Sequence, residues 1–165
     1  MQTKLITLFG TLLTLSSATF VLAHDHGNDG YTATEKPPKA APAITMGNGE
    51  NNWIQTDGIT RSGNTLTVPK VEIEKDGWLV VHPFKDGKPN GMIYVGASFL
   101  EAGENTDVDL KVYRELDTGT PLVIMLHYDE NENGAFDFLF VDERSVLDKA
   151  VFEGTTMVSH VIQAP

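Results

Sequence analysis

Cysteine is missing from all 165 residues. That excludes disulfides, iron–sulfur clusters, a blue-copper centre and a lipidated N-terminal cysteine. Positive charge is scarce: 12 Lys and Arg stand against 23 Asp and Glu, a net charge of -11. Like-charge repulsion opposes nucleic acid and anionic membrane surfaces as partners, and no basic stripe offsets it. Sustained helical periodicity is missing too. So are the Walker loop, the dinucleotide fingerprint and HExxH. Ser98 sits in "VGASFLEAG", which lacks the second glycine of a nucleophile elbow. The many acids are not marked as a catalytic pair and read as a solvated surface. The sequence points away from an enzyme.

The chain has one long apolar run, at its start. Lys4 is the only charge before Leu5 to Leu22, and "VLA" at Val21–Ala23 puts small residues where a signal peptidase inspects them. We expect a signal peptide over residues 1–23 and a secreted or periplasmic product. The rival is an uncleaved anchor, because the run is near the lower limit for spanning. No second such run follows, so no membrane span is expected after cleavage.

Residues 24–52 read as a flexible leader rich in Pro, Gly and Asn. Such a segment buries too little apolar surface to offset its ordering entropy. From Trp53 onward, short β-like runs alternate with turn signals such as "TDG", "DGKPNG" and "DTGTP". About seven or eight strands at roughly ten-residue spacing make an all-β sandwich over residues 53–165. "LVIMLHY" is apolar on both faces and should be a central strand. "TDVDLKVY" alternates and should face solvent on one side. "DERSVLDKA" has room for a turn of helix.

Three groups of residues are candidate metal ligands. The first is Asp129-x-Asn131-x-Asn133-Gly134-Ala135-x-Asp137. These residues fall at positions one, three, five, six, seven and nine of a calcium loop. Position twelve is Phe140, not a bidentate Glu, so Asp142, Glu143 or water would have to complete the site. The competing reading is a metal-free turn between strands, because Asn-Gly accepts positive φ and Asx side chains bond their own backbone. The second group is the terminus His24-Asp25-His26 that cleavage would expose. Its amine, two backbone amides and third-position imidazole suit square-planar Cu(II) or Ni(II), and His24 alternatively supplies an amine-plus-imidazole pair for copper. The third is His82, His127 and His160, each in or at the end of an expected strand. They form a site only if their faces meet. The commoner outcome is a hydrogen-bonded, partly buried histidine.

"GWLVVH", "GMIYVGASFLEAG" and "LDTGTPLVIMLHYDENENGAFDFLF" together resemble an uncharacterised secreted domain family. It is abundant in surface proteins of halophilic archaea and present in bacteria. The resemblance runs from about Leu66 to Ile162, with Leu126 to Phe138 its most specific block. It implies an immunoglobulin-like antiparallel sandwich, no established activity, and a structural role for the 129–137 loop with or without Ca2+. The expected function is a binding or structural module whose partner is an envelope or extracellular protein or polymer. The alternative is periplasmic copper handling through His24 and His26, and a second alternative is an envelope enzyme of unknown type.

Overall fold

The computed structural model describes residues 42–138 and 147–165. The signal-peptide expectation, His24, His26, Asp142 and Glu143 lie outside them. The described residues form eleven strands and no helix. They are β1 (Thr45–Gly47), β2 (Trp53–Ile54), β3 (Thr60–Ser62), β4 (Thr65–Ile73), β5 (Gly77–Lys85), β6 (Lys88–Pro89), β7 (Gly96–Leu100), β8 (Gly103–Lys111), β9 (Pro121–Tyr128), β10 (Phe152–Glu153) and β11 (Thr156–Gln163). The excess over seven or eight comes from pieces of two or three residues. Among the described residues, no helix is long and apolar enough to cross a membrane.

Two sheets pack together, as an all-β sandwich requires. The larger runs β1-β11-β9-β5-β6, with β10 on β11 and β7 on β5; the smaller runs β2-β4-β3, with β8 on β4. Pairing is antiparallel except that β1 runs parallel to β11. Strand β1 thus lies upstream of the expected Trp53 boundary. Residues 45–52 are held by β11 and by the Glu153 carboxylate, which accepts the backbone N–H groups of Glu50, Asn51 and Asn52.

The alternating patterns fold as their periodicity dictates. β8 buries Val108 and Leu110 and exposes Asp107, Asp109 and Lys111, which alternate with them. β4 buries Leu66 and Val68, then Val71 and Ile73. The phase slips at Pro69, which has no N–H for the ladder, opposite Asp107 at φ 51°. These side chains meet Leu79, Val81, Leu122, Ile124, Leu126 and Val158 of the larger sheet to form the core. Each such buried aliphatic contributes about 1.5–3 kcal/mol.

β5 and β9 are buried on both faces, from Gly77 to Pro83 and from Leu122 to His127. Their inward residues belong to the core. Their outward residues are Trp78, Val80 and His82 on β5, paired with His127, Met125 and Val123 on β9. This second buried layer lies on the face of the larger sheet away from the core.

Candidate functional site

The outward layer is covered by side chains from irregular segments. Phe136 and Phe138 stack parallel, with ring centroids 5.7 Å apart. Both stand nearly perpendicular to the His127 ring, with centroids at 5.3 and 5.4 Å. Phe136 also meets Trp78, and Tyr94 meets both phenylalanines. Of the run that follows the 129–137 loop, Phe136 to Phe138 lie within the described residues and form no strand; their rings turn onto the sheet.

Beneath this roof, His82 and His127 lean towards each other across the Val80–Met125 pair. Both are 1% exposed. His82 Nδ1 lies 2.7 Å from the Ile93 carbonyl oxygen, and His127 Nδ1 lies 2.9 Å from that of Asp148. A carbonyl only accepts, so each Nδ1 carries the proton and donates it. In neutral rings both Nε2 atoms are then bare lone pairs, and they face one another at 3.4 Å. Protonating one ring would relieve the clash, but burial opposes it. Burial lowers the His82 pKa, against a smaller upward pull from its bond to Ile93. His127 is lowered to about 4, first by burial and further by His82, against its bond to Asp148.

The pair opens on a cavity of about 510 Å³ whose lining is mostly apolar, with Met46, Met125, Met157 and Phe138 around the two imidazoles. β11 positions Met157 beside Met46 of β1, its register partner. Gly77 lets β5 pass close to β9: a Cβ there would strike the His127 carbonyl oxygen.

His160 does not join the pair. It is in register with Ile124, whose side chain points to the core, and its Nε2 lies 2.7 Å from Asn48 Oδ1. The three-histidine site thus reduces to two histidines on one face and one on the other. Among the described residues no group of three His, Asp or Glu side chains could hold a metal ion.

The 129–137 loop closes on itself. Asp129 is 7% exposed and accepts the backbone N–H groups of Asn133 and Gly134. Asn131 and Asn133 donate their amides to one Asp137 oxygen at 3.0 and 2.7 Å, which holds the Asp137 carboxyl below the usual range. Ala135 gives its N–H to Asn133 Oδ1. Glu132 and Gly134, not Asn133, take positive φ, at 53° and 65°. The loop is therefore an Asx-built turn. Asp148, fully buried, accepts the Asp137 N–H through Oδ2, while Oδ1 has no close hydrogen-bond partner among the described residues. Burial pushes its carboxyl up, and Asp129 and Asp137 add to the push, against the backbone N–H groups of Asp137 and Glu130, which pull it down.

Sequence reasoning found His82 and His127 but not Asp148, the three methionines or the phenylalanine roof. Alternation already placed Met125 and His127 on one face. Nothing in the sequence marked Asp148.

Fold and site define a small all-β sandwich with a histidine-floored apolar cavity on the outer face of one sheet. The chain belongs to the family described as a domain of unknown function (DUF7282), which matches residues 52–163. No curated protein and no solved structure matches it.

Proposed function

We propose that the protein is a secreted or periplasmic binding module, not an enzyme, that holds one transition-metal ion between His82 and His127. The observation that carries this reading is the pair of bare Nε2 atoms 3.4 Å apart. Two nitrogens at about 2.0–2.1 Å from one ion, at the tetrahedral angle, stand about 3.3–3.4 Å apart. Orienting each ligand imidazole through an Nδ1–H bond to a backbone carbonyl is the usual outer-shell device of metal sites. Export rests on the apolar run and "VLA" at the N-terminus.

Full-length protein carrying His24→Ala and His26→Ala, which removes the separate terminal site, is titrated with Cu(I), Zn(II) and Ni(II). One equivalent of at least one ion should bind, and His82→Gln or His127→Gln should abolish it. Binding of none of the three would end this reading.

A second reading places Ca2+ at the loop of Asp129, Asn131, Asn133, Ala135 and Asp137. It is favoured by Asp148, a fully buried carboxylate beside the loop whose Oδ1 has no close hydrogen-bond partner among the described residues. Calcium should raise the melting temperature, and Asp148→Asn should remove that rise. No rise at millimolar calcium would exclude it.

A further inference from the structure

We infer that the ion held by His82 and His127 is monovalent copper, and that thioether sulfur from Met46, Met125 and Met157 completes its coordination. This rests on the metal reading of the histidine pair and goes beyond it in naming the ion and its remaining ligands.

Two imidazoles leave a tetrahedral or trigonal ion short of donors, and no third His, Asp or Glu among the described residues supplies one. The cavity supplies sulfur. Three of the chain's five methionines line it beside both histidines. Met125 belongs to the outward pair that the two histidines flank. Met46 and Met157 are neighbours in register on β1 and β11. Thioether with imidazole is a soft donor set that selects Cu(I), whereas Mg(II), Ca(II) and Mn(II) require oxygen. Charge points the same way. Among the described residues no carboxylate lines the cavity, and the one charged residue there is Lys149. A dication there would be uncompensated in apolar surroundings; a monocation pays half the charge. The aromatic roof of Phe136 and Phe138 limits water at the pair, which suits an ion that needs no aqua ligand.

The competing role for these methionines is gap-filling around an apolar ligand. The two are separated in the His24→Ala, His26→Ala background. Cu(I) is titrated without oxygen against a chromogenic Cu(I) chelator, and X-ray absorption reads the ligand shell. We expect one equivalent of Cu(I) with nitrogen and sulfur neighbours. Met46→Leu, Met125→Leu and Met157→Leu together are volume-conserving swaps that cores tolerate. They should cut Cu(I) affinity at least tenfold while leaving Zn(II) binding unchanged. An unchanged Cu(I) affinity in that variant, or a shell without sulfur, overturns the inference. If His82→Gln still abolishes binding in that case, the histidine metal site stands without the methionines. Loss of neither would remove both.

Discussion

Glu153 grips Asn52 twice: one carboxylate oxygen accepts the Asn52 backbone N–H at 2.7 Å and its side-chain N–H at 2.8 Å. The other end of the same amide, Asn52 Oδ1, accepts the Glu74 N–H at 2.9 Å and the Tyr128 hydroxyl at 3.1 Å. Asn52 has no exposed surface. It therefore ties the strand ends of both sheets to the β10 turn. Asn52→Ala strands a buried backbone donor and a hydroxyl, and should cost about 2–4 kcal/mol in urea unfolding. A cost under about 0.5 kcal/mol, the range of ordinary surface substitutions, would show the tie to be idle.

Gly77→Ala tests the close approach beneath the histidine pair. The new methyl would meet the His127 carbonyl oxygen and lie 2.8 Å from Ile73 Cδ1. Backbone cannot swing aside as a flexible side chain can, so β5 must lift from β9. We expect a loss of about 3 kcal/mol or failure to fold, read by circular dichroism and thermal melts. Gly103→Ala is the contrast. Nothing lies within 4 Å of its Cβ, so its cost is confined to the strain of φ 103°.

The sandwich was legible in the sequence because its strands alternate, and alternation depends only on neighbours along the chain. β8 and β4 needed nothing else. The outward layer was half legible. "LVIMLHY" announced a strand covered on both faces, but not by what, because Phe136 and Phe138 reach it from a segment with no period. The meeting of His82 and His127 depends on the register of β5 with β9, which residue spacing does not encode. The order of residues 48–52 depends on Glu153, 101 positions from Asn52, so local composition suggested a leader. Asp148 fell in a stretch read as a turn of helix. Its burial is set by tertiary packing alone.

Asp148→Asn should stabilise the calcium-free protein. The amide oxygen can keep the bond from the Asp137 N–H, and the substitution removes the charge from a buried carboxyl. A gain on the order of 1 kcal/mol is expected at pH 7. The sign with pH follows from the raised carboxyl pKa. The folded state binds the proton more tightly than the unfolded chain. Stability from the protonated acid is full below the unfolded value and is lost as pH rises through the folded one. The advantage of Asp148→Asn should therefore grow from pH 4 to pH 7. An advantage independent of pH would mean that the carboxylate is not the source of the cost.

His127 gives the opposite slope on the low side. Its folded pKa is depressed from 6.5 to about 4, chiefly by burial, with His82 adding to it. The unfolded chain takes up a proton first as pH falls. Stability is thus full above 6.5, declines as pH drops from 6.5 towards 4, and levels off once the folded ring is also protonated. The total loss is on the order of 3 kcal/mol. His82, also depressed by burial and facing His127, adds to the same slope. The measurement is urea unfolding of metal-free protein across pH 4 to 8, with His127→Gln as comparator. Glutamine does not titrate, so the difference between the curves isolates the ring from the carboxylates that also titrate at the acid end. If the two curves run parallel through pH 5 to 6.5, the folded His127 ring takes up its proton as readily as the unfolded one, and burial does not depress its pKa.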